Sequence, residues 1–216
     1  MVHLCERKSI LSNNSLVIID YKMGNLRSVQ KAFEKVGCNA IISNDIEVIL
    51  KANKLVLPGV GAFKDGMKHL HELNLINILN KKVLEDKTPI LGICLGMQLL
   101  SNKSYENGET MGLGWITAEV VKFEFDTKKL KIPHVGWNEL HYQKKSCLFD
   151  SIQNKSDFYF VHSYHFKTDE DIVVTTTDYG FEFVSAINKD NIYATQFHPE
   201  KSQTVGIQLI ENFVNL

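Results

Sequence analysis

A sharp corner between a strand and a helix is predicted by the segment Thr88-Pro-Ile-Leu-Gly-Ile-Cys-Leu-Gly-Met-Gln-Leu-Leu100. Residues 89–93 form the apolar run of a short buried strand, and the residues after the cysteine have the pattern of a helix. Cys94 lies at the junction, with Gly92 and Gly96 two residues to either side. This spacing matches the nucleophile elbow G-x-S-x-G, with a thiol in place of the hydroxyl. We therefore predict that Cys94 is a nucleophile.

Steric crowding explains why glycine is needed at positions 92 and 96. An abrupt turn from strand to helix crowds the side chains near the corner, and glycine has no Cβ to collide. We also expect the turn to aim the start of the helix at the sulfur, where its partial positive charge favours a thiolate. The alternative is a buried structural cysteine in an apolar corner. The paired glycines favour the nucleophile.

Composition and charge narrow the class of protein. The 216 residues fit one large α/β domain or two small ones, and the formal net charge of −1 gives no general case for binding nucleic acid or an anionic membrane. No apolar run approaches the length of a membrane span. The cysteines follow no pairing pattern and form no C-x-x-C, so we predict a reducing, cytoplasmic setting without disulfides. We expect neither a metal nor a cofactor.

The first half of the chain alternates strands and helices. Apolar runs predict strands at 16–19, 40–42 and 54–57, and helical spacing predicts helices at 26–36, 45–52, 64–73 and 75–85. Gly37 sits where a helix C-terminus favours glycine. The β-α-β-α-β order is typical of a parallel sheet with right-handed crossovers.

The second half has a different texture. A polar loop is predicted at 101–112, followed by short strands at 116–125, 130–132, 138–142, 158–161, 172–177, 183–187 and 192–195, and by a closing helix at 203–216. We interpret these strands as antiparallel additions to an open, mostly parallel, mixed sheet flanked by helices, which is an α/β fold. No linker or repeat interrupts the pattern, so we predict one domain over 16–216 after an N-terminal extension over 1–15.

A candidate base for Cys94 lies in Gln196-Phe-His-Pro-Glu-Lys-Ser202, directly after an apolar run. A thiol nucleophile needs a base, and the base needs a group that orients it. His198 can exchange the proton, and Glu200 can bind the other ring nitrogen. We expect Pro199 to keep the segment extended, so that both side chains project to one side. The alternative is a surface loop with a capping role.

Three further stretches attract attention. Pro58-Gly-Val-Gly-Ala-Phe63 follows a predicted strand, where glycines let the backbone approach a ligand. The aromatic stretches Ile132-Pro-His-Val-Gly-Trp-Asn138 and Tyr159-Phe-Val-His-Ser-Tyr-His165 combine apolar bodies with polar tips. Such side chains suit a pocket wall, a protein interface or ordinary core packing, and the residues alone do not separate these three.

Together these motifs resemble those of the class I (triad) glutamine amidotransferases, a family with a flavodoxin-like fold. The glycine loop after the third strand and the Pro-His-Val-Gly-Trp-Asn stretch are similar to the subfamily of glutaminase subunits of imidazole glycerol phosphate synthase. The resemblance covers the chain from about Leu16 to its C-terminus. The turn after the first strand departs from the family pattern, because Lys22 stands where glycine is usual.

The resemblance implies a role for each matched residue. Cys94 would attack the side-chain amide of L-glutamine, His198 would protonate the departing ammonia, and Glu200 would hold His198. The oxyanion would be met by backbone N–H groups of Leu95 and of the Gly59-Val60 segment.

The resemblance also implies a substrate pocket and a partner. Positions that bind glutamine in the family are matched by Gly61, Gln98, Ser163 and Tyr164, and interface positions are matched by Asn25, Trp137, Tyr159 and Lys201. The partner would be a cyclase subunit with a (β/α)₈ barrel, in a heterodimer. It would use the channelled ammonia to make imidazole glycerol phosphate and AICAR in histidine biosynthesis.

Three alternatives remain open on the sequence. The same glutaminase chemistry serves a different partner in relatives that make an amidine on a surface-polysaccharide sugar. A γ-glutamyl hydrolase without a partner would need the same triad, but Gln98 and the glycine loop speak against it. A non-enzymatic subunit that kept the fold would not need Cys94, His198 and Glu200 together.

Overall fold

The computed structural model describes residues 15–125 and 130–216, so the predicted extension lies outside the described residues except for Ser15. The first half alternates strands and helices as expected. In chain order it contains β1 (Leu16–Ile19), α1 (Leu26–Lys35), β2 (Ile41–Ser43), α2 (Ile46–Leu50), β3 (Lys54–Gly59), α3 (Phe63–Glu72), α4 (Leu75–Asn80), a π-helical turn (Lys81–Glu85) and β4 (Ile90–Cys94).

The second half consists mainly of short strands between a short and a long helix. In order these are α5 (Leu95–Gln98), β5 (Lys103–Ser104), β6 (Thr110–Met111), β7 (Ala118–Lys122), β8 (His134–Glu139), β9 (His141–Tyr142), β10 (Asp157–His162), β11 (Tyr164–Thr168), β12 (Val173–Asp178), β13 (Glu182–Lys189), β14 (Ile192–Thr195) and α6 (Gln203–Val214). One-turn 3₁₀ helices occupy Cys147–Phe149 and Pro199–Lys201.

One mixed sheet organises these elements. Its parallel part runs β2-β1-β3-β4-β14, and antiparallel pairing then adds β13 and β11, with β7, β5 and β6 beyond. Strands β12 and β9 pair alongside β13, and β8 and β10 form a separate antiparallel pair. The predicted α/β fold, with a parallel core and antiparallel additions, is confirmed.

Both faces of the parallel strands are covered, because successive side chains point to opposite faces. One core joins Val17, Ile19, Leu55 and Leu57 to residues of α2, α3 and α4. The other joins Leu16, Ile18, Val56, Leu91 and Ile93 to residues of α1 and α6. The continuous apolar runs of the sequence therefore have a direct structural cause.

Helix ends follow the local sequence. Asp45 accepts a hydrogen bond from the N–H of Glu47 at 2.8 Å and so caps α2. Asn25 accepts one from the N–H of Ser28 at 3.2 Å and caps α1. Gly37 has a φ of +77° just after α1, and the predicted glycine at this helix end is confirmed.

Several local predictions were wrong. Residues 130–132 form no strand, and the carbonyl of Lys131 instead accepts a hydrogen bond from the Tyr179 hydroxyl at 2.8 Å. The polar loop contains the β5–β6 hairpin, and β11 was not predicted. These strands are very short or rich in polar residues, so periodicity does not reveal them.

The corner after β4 shows the predicted crowding. A Cβ on Gly92 would lie 3.0 Å from the carbonyl oxygen of Gly96, and a Cβ on Gly96 would collide with the carbonyl oxygen of Leu57. Cys94 itself has a φ of +54°, in the left-handed region. The helix that follows has only one turn, so the expected dipole at the sulfur is small, and charge on the sulfur needs another source.

We expect Gly96→Ala to lower the free energy of unfolding by about 3 kcal/mol, because the backbone of β3 cannot yield to the added methyl group. Gly66→Ala is the matched control, since its Cβ would meet only flexible Leu99 and Leu95 methyl groups at 3.2–3.4 Å. Urea unfolding of both variants measures the difference. Equal stability of the two variants would contradict this description of the corner.

Candidate active site

Cys94 lies at the carboxyl end of β4, between its parallel neighbours. Gly59 of β3 is its register partner, and Thr195 of β14 pairs with the preceding residue. The Cys94 side chain is buried, and its sulfur lies 3.9 Å from the carbonyl oxygen of Val161 and 3.7 Å from Nε2 of Gln196. The sheet therefore delivers the thiol to the edge where parallel sheets bind ligands.

His198 and Glu200 form a buried pair next to this edge. Nδ1 of His198 lies 2.8 Å from Oε1 of Glu200, and their side chains are 2% and 3% exposed. The sequence predicted that an extended segment brings these two side chains together. That prediction was wrong, because Pro199–Lys201 forms a 3₁₀ turn. Main-chain hydrogen bonds hold the turn, including one from the His198 N–H to the Tyr159 carbonyl at 2.9 Å.

The electrostatic setting of His198 is set by opposing effects. Burial lowers the pKa of the imidazole, but the negative charge of Cys94 and the hydrogen-bonded Glu200 carboxylate raise that pKa to about 10. The ring is therefore protonated at neutral pH. An imidazolium beside a sulfur stabilises negative charge there, which the one-turn helix alone does not provide.

The second ring nitrogen of His198 lies on the side of the ring away from Glu200. Nε2 is buried and has no partner of good geometry within the described part of the chain. Its interaction with Cys94 is therefore mainly electrostatic. Catalytic hydrogen bonds often become short only when substrate binds, so this arrangement can pass a proton between ring and bound substrate.

A cleft of about 490 Å³ opens over the sulfur. It is lined by Val60, Gly61, Cys94, Leu95, Gln98, Glu106, Pro133, Val161, His162, Ser163, Tyr164 and Lys201. A wider groove of about 680 Å³ lies along β7 and β11, but it is lined mainly by polar and charged side chains and does not include Cys94. The smaller cleft, which contains Cys94, is therefore the candidate active site.

Most of the residues matched by the resemblance lie together. The cleft contains the predicted oxyanion residues Leu95 and Val60 and all four predicted glutamine-binding residues, Gly61, Gln98, Ser163 and Tyr164. Gly59 lies beside Cys94 in the sheet.

The four predicted interface residues are more spread out. Trp137 packs against Tyr159 with ring centroids 5.9 Å apart, and the Lys201 ammonium lies 5.7 Å from the centre of the Tyr159 ring. Lys201 also lines the cleft. Asn25 is exposed and caps α1, so its local structural role does not require a partner.

Sequence reasoning missed several contributors to the site, among which Gln196 and Glu106 make the most specific contacts. Gln196 is fully buried, accepts a hydrogen bond from Nε2 of Gln98 at 3.0 Å and points its own amide nitrogen at the Cys94 sulfur. Glu106 accepts from the N–H of Phe63 at 2.7 Å and so fixes the start of α3 beside the cleft. Gln196 is the first residue of the quoted histidine motif but received no role there, and Glu106 lies in a segment with no motif.

Over 15–125 and 130–216, no group of three or more histidine, cysteine or acidic side chains is arranged to hold a metal ion. Within the same residues, no helix has the length and apolar character needed to cross a membrane.

Comparison with known proteins identifies the family. The family model "Glutamine amidotransferase class-I" matches residues 17–216. The imidazole glycerol phosphate synthase subunit HisH 1 of Campylobacter jejuni (strain RM1221) is 55% identical, over 93% of this chain and 100% of that protein. The HisH subunit of Aquifex aeolicus (strain VF5) is 52% identical, over 91% and 94%.

Solved structures agree on the fold. The structure of PurLQS from Thermotoga maritima matches with a TM-score of 0.70 at 16% sequence identity, over 93% of this chain and 97% of that one. The chain belongs to the class-I glutamine amidotransferase family, and it is an enzyme of that class. Within the family, the resemblance to the HisH subunits of imidazole glycerol phosphate synthase is confirmed.

Because negative charge at Cys94 helps to keep His198 protonated, Cys94→Ala should lower the pKa of the His198 ring. A ¹⁵N NMR titration of the histidine side chains measures this shift. Cys147→Ala is the control, since that cysteine is exposed and contacts Tyr193 instead. An unchanged His198 pKa in Cys94→Ala would show that the two groups do not interact.

Proposed function

We propose that this chain is a glutaminase subunit that hydrolyses L-glutamine to glutamate and ammonia through a thioester on Cys94. The observation that carries the proposal is the buried His198–Glu200 pair beside the sulfur, with the imidazole pKa raised to about 10. A thiolate and an imidazolium are the two reactive forms that amide cleavage by cysteine requires.

The reaction runs in two halves. The Cys94 sulfur attacks the amide carbon, and the tetrahedral intermediate collapses as the His198 imidazolium gives its proton to the departing nitrogen. Ammonia leaves and a γ-glutamyl thioester remains. Water then attacks the thioester while the neutral His198 ring takes its proton, and glutamate leaves as the thiolate and imidazolium are restored. Glu200 holds the ring orientation in both halves.

The cleft supplies the remaining groups in this proposal. The oxyanion would be stabilised by the N–H of Leu95 and one N–H of the Gly59-Val60 segment. Gly61, Gln98, Ser163 and Tyr164 would bind the glutamine. Both N–H donors of Gln98 are already used, by the Tyr164 carbonyl at 3.1 Å and by Gln196, so Gln98 would meet the substrate through its carbonyl oxygen.

The ammonia would pass to a cyclase subunit with a (β/α)₈ barrel, which would make imidazole glycerol phosphate and AICAR in histidine biosynthesis. A docking face for it is offered by the outer side of the β8–β10 pair. Val135 and Trp137 are 55% and 45% exposed there, and they pair in register with Val161 and Tyr159. Val161 also lines the cleft, so the face and the cleft adjoin.

The partner would also control the glutaminase. An unaccompanied enzyme would waste glutamine, so we propose that cyclase and its ligand select the active arrangement of Gly59-Val60. A hundredfold activation needs only about 3 kcal/mol of differential binding. The subunit names of the relatives fit this partnership and do not favour the sugar-amidinating alternative.

The cytoplasm is the setting that we propose for this pair. Cys38, Cys94 and Cys147 are all free thiols, which suits a reducing compartment. The nucleophile also needs such a compartment to stay reduced.

We expect Cys94→Ala to abolish glutamine hydrolysis and Cys147→Ala to retain it, because only the first removes the nucleophile. Glutamate release is measured with and without a cyclase subunit and its ligand. Wild-type protein should be slow alone and faster in the complex. Full activity in the isolated subunit would remove the gate, and residual activity in Cys94→Ala would remove the proposed chemistry.

Trp137→Ala should weaken cyclase binding by about 2 kcal/mol, because a large aromatic side chain at the centre of an interface contributes strongly. Leu84→Ala is the matched control, since Leu84 is 40% exposed on the π-helical turn before β4. Isothermal titration calorimetry against a cyclase subunit gives both affinities. Equal binding by the two variants would place the interface elsewhere.

A further inference from the structure

A pair of buried histidines is used by no step above: His162 lines the cleft, and His134 lies next to it on the neighbouring strand. His134 of β8 and His162 of β10 are register partners on the inner face of their strand pair, 3% and 5% exposed. Nδ1 of His134 lies 3.1 Å from Nε2 of His162. The outer face of the same two strands carries Trp137 and Tyr159.

The contacts of the pair fix the position of every proton. Nδ1 of His162 lies 2.8 Å from the carbonyl oxygen of Tyr164, which can only accept, so Nδ1 carries hydrogen. In a neutral ring Nε2 then accepts, and Nδ1 of His134 must donate to it. Nε2 of His134 is left to accept from the Asn138 amide at 3.4 Å. These hydrogen bonds therefore all donate in one direction, from Asn138 through His134 and His162 to Tyr164.

Neutral rings are what the setting favours. Burial lowers the pKa of His134 to about 4, and burial lowers that of His162 to about 3 despite its hydrogen bond to Tyr164. Neither ring therefore gains a proton in the range where the enzyme would be assayed. The direction of these hydrogen bonds is therefore constant over that pH range.

At the Tyr164 end, the hydrogen-bond network continues to the nucleophile. The Tyr164 carbonyl accepts a second hydrogen bond, from Nε2 of Gln98 at 3.1 Å. Gln98 also donates to Gln196, whose amide nitrogen lies 3.7 Å from the Cys94 sulfur. A continuous buried network thus joins β8 to the floor of the cleft.

We propose that His134 and His162 are positioning residues of the glutaminase site, which hold the Tyr164 carbonyl and through it Gln98 in the geometry that binds glutamine. This inference rests on the proposed function. It assigns the pair a role in substrate binding, whereas proton transfer stays with His198.

Packing alone does not account for the pair. His134 stacks on Tyr179 with ring centroids 3.9 Å apart and on Phe160 at 4.9 Å, contacts that a phenylalanine would make equally well. Burying two imidazoles is unfavourable unless their polar atoms are satisfied, and here each ring nitrogen has a partner. The hydrogen bonds of the ring nitrogens, unlike the ring stacking, would therefore be lost with phenylalanine.

Two substitutions at position 134 separate polarity from shape. His134→Asn keeps a donor at the δ position, facing His162, while His134→Phe keeps the stacked ring and removes the donor. In the complex with a cyclase subunit, we expect His134→Phe to raise the KM for glutamine about tenfold with kcat within about threefold, because it weakens substrate binding. His134→Asn should stay within about threefold of wild type.

The outcomes distinguish this inference from the function beneath it. A wild-type KM for glutamine in His134→Phe, or an equal rise in KM in both variants, would overturn the positioning role. The proposed function would still stand in that case, provided that Cys94→Ala is inactive. Glutamine hydrolysis by Cys94→Ala would instead overturn the function.

A second measurement uses the wild-type protein, so it does not depend on whether a variant folds. Side-chain ¹⁵N NMR of the wild-type complex should show the Nδ1–H tautomer at both His134 and His162, with no titration of either ring between about pH 5 and 9. An Nε2–H tautomer at His162 would reverse the chain and overturn the proposal.

Discussion

The corner at Cys94 is the constraint on which the site depends. Because β4 ends between β3 and β14, the thiol emerges where both neighbouring strands also end, beside Gly59 and just across from the residues that follow Thr195. Only glycine at 92 and 96 lets the backbone turn so tightly. The antiparallel strands then wrap the same edge, and they supply one wall of the cleft and the outer face proposed for a partner.

Electrostatics at this corner come from side chains more than from the helix. The helix after Cys94 has one turn, whereas the His198 imidazolium and the Glu200 carboxylate are buried within contact of each other. Low local dielectric strengthens both their mutual attraction and the effect of His198 on the sulfur. A surface histidine with the same neighbours would be screened and would interact more weakly.

The sequence predicted the parallel core and the nucleophile corner because both have strong local patterns, such as the apolar run of β1 and the glycines around Cys94. It also paired His198 with Glu200, although the turn between them is 3₁₀ and not extended. It missed β11 and the β5–β6 hairpin, whose pairing depends on distant strands. The buried links through Gln196, His134 and His162 depend on cross-strand register, which no single segment of sequence carries.

In the proposed reaction, His198 and Glu200 act as one unit on the substrate held by Cys94. Glutaminase kcat in the cyclase complex, for His198→Gln, Glu200→Gln and the double variant, tests it most directly. We expect a loss of about 10³-fold for His198→Gln and no further loss in the double variant, because residues that act as one unit are non-additive. A double variant whose loss equals the product of the single losses would contradict it.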